Sequence, residues 1–232
     1  MMKLINPFRD LTQLEWILWI TSAVVVTGSF LLTPKPDYLT LAASLIGVTA
    51  LIFVAKGYVA GQVLTVVFAV FYGVISFYFR YYGEMITYLC MTAPIAVLSI
   101  ISWARHPYKK TAEVEVHRMT GKQTAVMCVL AVLVTGAFYF ILKSLETANL
   151  LPSTISVTTS FLAVYMTMMR SPYYAVGYAA NDVVLIVLWI MAAMEDSSCL
   201  PMVFCFVMFF VNDAYGFFNW RRMQKRQERG VQ

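Results

Sequence analysis

Asp182 stands about ten residues into an apolar stretch, with Asn181 beside it and Tyr178 and Tyr174 one and two helical turns earlier. At about 1.5 Å per helical residue that depth is roughly 15 Å, the midplane of a bilayer. A carboxylate there costs at least about 2.5–3.5 kcal/mol on insertion scales, and such groups face a cavity or a partner. Every Lys and Arg lies outside the centres of the apolar stretches. Asp182 is therefore left with protonation, hydration, hydrogen bonds from neighbours such as Tyr178, or a cationic ligand. Two other stretches carry polar stripes at helical spacing. Gln62, Thr65, Ala69, Tyr72 and Ser76 form one, and Asn212, Tyr215 and Asn219 another, with Asp213 adjacent and Gly216 permitting close approach. The candidate solute-binding residues are thus Gln62, Tyr72, Tyr174, Tyr178, Asn181, Asp182, Asn212, Tyr215 and Asn219. Weaker stripes, Tyr88, Thr92, Ser99 and Ser102 in one stretch and Ser156, Ser160, Ala163 and Thr167 in another, read as helix-packing surfaces.

Tyrosines around a carboxylate suit a planar cationic or neutral aromatic solute with hydroxyls, held by stacking and cation–π contact. With no Lys or Arg in the stretches, a phosphorylated solute is disfavoured. Nothing resembles an enzyme site: His106 and His117 fall in a connecting loop, and no nucleophile–base pair or metal cluster lies in the spans. Cys90, Cys128, Cys199 and Cys205 have no CxxC or His-paired spacing and read as core filler, so no metal or cofactor is expected.

The elements that must position these side chains are membrane helices. Of 232 residues 60% are hydrophobic and 12% charged, against about 45–50% and 25% in soluble domains. Apolar runs of about 19 residues predict eight spans near 14–32, 38–55, 57–79, 85–104, 124–143, 154–169, 172–193 and 198–220. The prolines of Thr33–Asp37 mark a turn, and Arg105–Gln123 is the one substantial loop. Met1–Gln13 lacks a signal-peptide shape and is expected to be retained. Assigning connections alternately to the two sides collects fourteen of the seventeen basic residues on one, leaving Lys35, Arg80 and Lys143 on the other. The richer side is cytoplasmic by the positive-inside rule, with both termini inside. The net charge of +5 accordingly reads as membrane topology, with the lipid bilayer and no nucleic acid as partner.

Trp103-Ala104-Arg105 and Trp220-Arg221-Arg222 each close three consecutive spans and stand 117 positions apart. Two parallel three-helix units joined by a single linker helix follow, as in transporters built from parallel repeats. The fold class is all-α integral membrane, eight helices as 1+3+1+3. Its segments are 1–33 (amphipathic start and extra helix), 38–104 (first repeat), 105–123 (cytoplasmic loop), 124–144 (linker helix), 153–221 (second repeat) and 222–232 (basic cytoplasmic tail). A membrane sensor or scaffold recruiting a partner through that tail is the reading of another class.

From about Tyr38 to Arg222 the chain resembles the PnuC family of nicotinamide riboside transporters, bacterial proteins similar to full-length SWEET transporters. The resemblance rests on Ala179-Ala180-Asn181-Asp182, on Asn212-Asp213-Ala214-Tyr215-Gly216-Phe217-Phe218-Asn219-Trp220-Arg221 and on the repeated Trp-x-Arg. It implies facilitated diffusion of an unphosphorylated vitamin precursor across a bacterial inner membrane, trapping by a cytoplasmic kinase, and a homotrimer with one path per protomer. Nicotinamide riboside, a pyridinium cation on a ribose, matches the solute type read from the residues. Asn181 matches the asparagine that follows the family's Trp-x-x-Trp, but Tyr174 and Gly177 stand where the tryptophans would. Thiamine, also a ring cation, is therefore the alternative vitamin, beside riboflavin and deoxynucleosides.

Overall fold

Helix starts in this chain are written by its capping residues. Thr12 and Thr120 each stand three residues before a Glu or Gln, the pattern in which the hydroxyl takes a free N–H of the first turn and the longer side chain reaches back. In the computed structural model, which describes residues 7–33, 37–109, 111–147 and 149–230, both boxes form. Glu15 N–H donates to Thr12 Oγ1 and Gln123 N–H to Thr120 Oγ1, each at 3.3 Å. Asp37 caps the next helix by accepting from the N–H groups of Leu39 and Thr40.

Among the described residues eight helices are long and apolar enough to cross a membrane. They are α1 Gln13–Leu31, α2 Tyr38–Ala55, α3 Val59–Tyr78, α4 Tyr82–Arg105, α5 Gly121–Ser144, α6 Leu150–Met168, α7 Tyr174–Glu195 and α8 Leu200–Arg229. The all-helical expectation holds, with several ends moved by two to four residues and one by more: α5 begins at Gly121 rather than 124 and α6 at Leu150 rather than 154. α4 begins at Tyr82 rather than near 85, and α8 runs on to Arg229 rather than stopping at 220. Hydropathy misses that extension because its residues leave the lipid while still helical. Residues 1–6 of the amphipathic start, the turn residues Pro34, Lys35 and Pro36, and Lys110 of the basic loop lie outside the described residues.

Lipid as solvent inverts the usual burial. Val132, Phe140 and Leu151 are about 70% exposed, whereas Gln62, Glu84, Asn181, Asp182, Asn212 and Asp213 are all 3% exposed or less. Cys199 and Cys205 are buried, but Cys90 and Cys128 are exposed, not core filler as their surroundings in the sequence suggest; an apolar run does not say which of its faces meets lipid.

Contacts run α2 to α3, α3 to α4, α4 to α6, α6 to α7, α7 to α8 and α8 back to α2, a closed ring of six helices. α1 packs outside in the groove between α2 and α8, and α5 outside against α6. Both seams of the ring are stitched alike. Trp103 Nε1 on α4 donates to the Thr167 carbonyl of α6, and Trp220 Nε1 on α8 to the Val54 carbonyl of α2, each at 2.9 Å. The two indoles meet across the ring at 5.4 Å between centroids. Nearer the other end Trp189 Nε1 on α7 donates to the Tyr72 hydroxyl of α3 at 3.0 Å. The loop after α4 is fastened to the Trp103–Trp220 end rather than free in solvent: Val114 N–H donates to the Gly57 carbonyl, His117 N–H to the Arg170 carbonyl, and the Gln227 amide takes both Val114 O and Val116 N–H.

α1 is held by polar contacts at three depths. The Glu15 carboxylate accepts from Lys56 Nζ at 3.0 Å and from the Tyr215 hydroxyl at 2.8 Å. Asn212 Nδ2 donates to Ser22 Oγ at 2.9 Å, and Trp19 Nε1 to Thr49 Oγ1 at 3.1 Å. Glu15 is 2% and Lys56 11% exposed at the side chain, so removing one partner strands the other in a desolvated place. Glu15→Ala is expected to cost about 3–5 kcal/mol and to lower the melting temperature followed by tryptophan fluorescence in detergent. Glu15→Leu with Lys56→Met should recover most of that loss; an unchanged melting temperature in Glu15→Ala would mean the pair does not hold α1.

Candidate functional site

The ring encloses a cavity of about 50 Å³, room for only a few waters at about 10–15 Å³ each. α3 brings Gln62, Thr65 and Phe68, α4 Tyr88 and Thr92, α7 Tyr178, Asn181 and Asp182, and α8 Phe209 and Asp213. α2 contributes the small residues Gly47 and Ala50, which let the walls come close. In α4 the segment Thr87–Thr92 is wound as a wider π-helical turn, a device common at functional sites. It spans the residues Tyr88 and Thr92 that reach the cavity.

Asn181 is oriented by α6. Its Oδ1 accepts from Thr159 Oγ1 and Ser160 Oγ at 2.9 Å and from Ser156 Oγ at 3.3 Å. The stripe on α6 that reads as a packing surface thus holds the amide whose other end faces the cavity, with Tyr88 beside it. Asp182 and Asp213 face each other across the α7–α8 contact within hydrogen-bonding reach. Asp182 Oδ2 has no partner, nor does Thr92 Oγ1. Buried polar atoms are ordinarily partnered, so these two, brought to the cavity by different helices, are free to bond to something that enters it. Among the lining residues are two carboxyls and no Lys or Arg.

The sequence candidates divide three ways. Gln62, Tyr178, Asn181 and Asp182 line the cavity. Tyr72 and Tyr174 stand just beyond it on opposite sides. Tyr72 lies behind Phe68 and Tyr88, with ring centroids at 5.5 and 4.4 Å, and takes the Trp189 indole N–H. Tyr174 packs on Trp220 at 4.8 Å. Asn212, Tyr215 and Asn219 turn away from it: Asn212 and Tyr215 bond to α1, and Asn219 Nδ2 donates to the Ala55 carbonyl at 2.9 Å, closing the end of α2. The face of α8 that meets the cavity carries Phe209 and Asp213 instead. Thr65, Tyr88, Thr92 and Asp213, present in the sequence stripes or beside them, line the cavity without being in the candidate set. Their helical spacing was the available signal; nothing in it ranks one face of α8 over the next.

A ring of membrane helices with aromatic pairs toward both ends, around a largely apolar cavity that carries two carboxyls and two amides, is the arrangement of a membrane transporter. The comparisons agree. The family profile described as Nicotinamide mononucleotide transporter matches residues 37–222, and the chain belongs to that family, a family of transporters and not of enzymes. It is 24% identical over 217 residues to the "Nicotinamide riboside transporter PnuC" of Neisseria mucosa, covering 91% of this chain and 81% of that one. Its fold is that of the crystal structure of "the Vitamin B3 transporter PnuC", with a TM-score of 0.82 at 23% identity over 94% of each chain.

Proposed function

We propose that this chain carries an unphosphorylated vitamin precursor bearing a ring cation, with nicotinamide riboside first, across a bacterial plasma membrane by facilitated diffusion. One observation carries the reading: the cavity presents the Asp182 and Asp213 carboxyls with Tyr88 and Tyr178, and no cationic side chain, at mid-bundle. A positive ring is the missing charge, and the tyrosines supply cation–π faces for it. A phosphate would be repelled there, which favours the riboside named for the relative over the mononucleotide named for the family. Of the sequence candidates, Gln62, Tyr178, Asn181 and Asp182 are the proposed contacts, joined by Thr65, Tyr88 and Asp213. Tyr72 with Trp189, and Tyr174 with Trp103 and Trp220, are proposed as the outer and cytoplasmic closures. About 50 Å³ is far below the roughly 300–1,000 Å³ of ligand pockets, so one closure must open to admit the solute.

Alternating opening is natural if the ring is two parallel three-helix units, α2–α4 and α6–α8, in the SWEET-like manner, with α5 as linker. Supporting this, Trp103 touches Trp220 and Tyr72 touches Trp189; each pair is 117 positions apart, as expected of equivalent residues meeting on a pseudo-two-fold axis. The basic residues of the Trp103–Trp220 end support a cytoplasmic position for both termini. A cytoplasmic kinase would then trap the product, and the family resemblance supports a homotrimer with one path per protomer. Thiamine remains the second vitamin because Tyr174 and Gly177 replace the tryptophans of the resembled motif.

Counterflow in proteoliposomes tests the reading. Internal nicotinamide riboside is expected to drive entry of labelled nicotinamide riboside, internal mononucleotide is not, and an imposed pH gradient should produce no accumulation above equilibrium. Equal exchange of the mononucleotide would overturn the charge argument, and binding without counterflow would favour a sensor.

A further inference from the structure

α4 carries a buried carboxylate that the cavity does not absorb. Glu84, near the helix end remote from Trp103, is 2% exposed, and neither of its oxygens has a hydrogen-bond partner. Thr87 Oγ1, one turn further along the same helix, and Ser76 Oγ on α3 are likewise buried and unpartnered. The Ser156 hydroxyl of α6 lies within reach of it, and Tyr72, Tyr81 and Tyr88 are near enough to feel its charge. No ion pair to it forms among the described residues.

Its position explains what it could meet. Ser156, beside Glu84, donates to Asn181 Oδ1, and Asn181 lines the cavity next to Asp182. Tyr88, one turn from Glu84 on the same helix, lines the cavity together with Asp182. Glu84 thus lies one hydroxyl away from the cavity, at the level of the Tyr72–Trp189 closure. A solute entering from that end would pass it first. Tyrosine rings around an uncompensated carboxylate are the chemistry of an organic cation's binding place.

We propose that Glu84 is the outer charge station of the solute path, where a planar monocation is held and selected before it reaches Asp182 and Asp213. This rests on the transport reading above and extends it to a residue outside the cavity. The test compares nicotinamide riboside with its 1,4-dihydro form, which keeps the ribose and carboxamide but lacks the ring charge, by counterflow into proteoliposomes. Glu84→Gln is expected to raise the KM for the cation by at least about tenfold while the neutral form stays within about twofold, and Glu84→Asp should fall between. Equal shifts for the two solutes, or none for either, overturn the proposal. Should Glu84→Gln not give a monodisperse protein, Glu84→Asp decides, and a KM for the cation that moves no more than that for the neutral form is the overturning result. Wild-type protein that exchanges thiamine and not nicotinamide riboside overturns the vitamin assignment alone, and the KM of thiamine in Glu84→Gln then decides the Glu84 claim, a rise supporting it and no change overturning it. Wild type that exchanges neither cation overturns both.

Discussion

Asp182→Asn is expected to raise the KM for a cationic solute by at least about thirty-fold, while a neutral solute of the same shape loses far less. The arithmetic is that of removing one member of a desolvated charge pair, about 2–5 kcal/mol at about 1.4 kcal/mol per tenfold. Asparagine keeps the size of the side chain and can still hydrogen-bond to Asp213, so the ring of helices should close as before. What disappears is the carboxyl whose Oδ2 stands on the wall without a protein partner. Uptake of nicotinamide riboside and its dihydro form into the same proteoliposomes separates the cases. A comparable fall for both solutes, with a lowered melting temperature, would assign Asp182 to folding and remove the main support for a cation path. Asp213→Asn should show the same selectivity, because the two carboxyls face one another across α7 and α8.

Gly177→Trp, which would restore a tryptophan of the resembled Trp-x-x-Trp, is expected to abolish folding rather than improve stacking. A Cβ added at 177 would lie 2.8 Å from Ala163 Cα and 3.0 Å from Ala163 N, both backbone atoms of α6 that cannot rotate aside. One added methylene in a packed core costs about 1–3 kcal/mol; an indole against a neighbouring backbone exceeds that and consumes most of a stability of about 5–15 kcal/mol. Tyr178→Trp is the informative control, since Tyr178 lines the cavity and its ring can grow toward open space. The expected outcome is no monodisperse peak on size exclusion for Gly177→Trp, and a folded, transporting protein for Tyr178→Trp. A Gly177→Trp protein that melts like wild type would show that α6 and α7 can separate at no cost, contrary to the packing described.

With glycine at 177, α7 lies directly on α6, and the three α6 hydroxyls can reach Asn181. Neighbouring Tyr178 then becomes the aromatic wall. Spacing alone assigns position 177 to one face of α7; it does not tell that another helix occupies that face.

Hydropathy and helical period, both local, determined eight spans, their approximate ends, the side richer in basic residues, and the depth of Asn181 and Asp182, because lipid requires every long span to satisfy its own backbone bonds. They also chose Gln62, Tyr178, Asn181 and Asp182, polar residues whose neighbours along the chain are nearly all apolar. Which helix meets which face was decided only by docking. α8 carries polar residues on adjacent faces, Asn212–Tyr215–Asn219 and Asp213; α1 took Asn212 and Tyr215 by offering Ser22 and Glu15, and the end of α2 took Asn219, leaving Asp213 to the cavity. Glu84 escaped notice because, two residues into α4, it reads as an ordinary charge at a span end; its burial is conferred by α3, α5 and α6, which pack against this end of α4. A helix's own period fixes the angle between its side chains, but only its neighbours fix where that angle points.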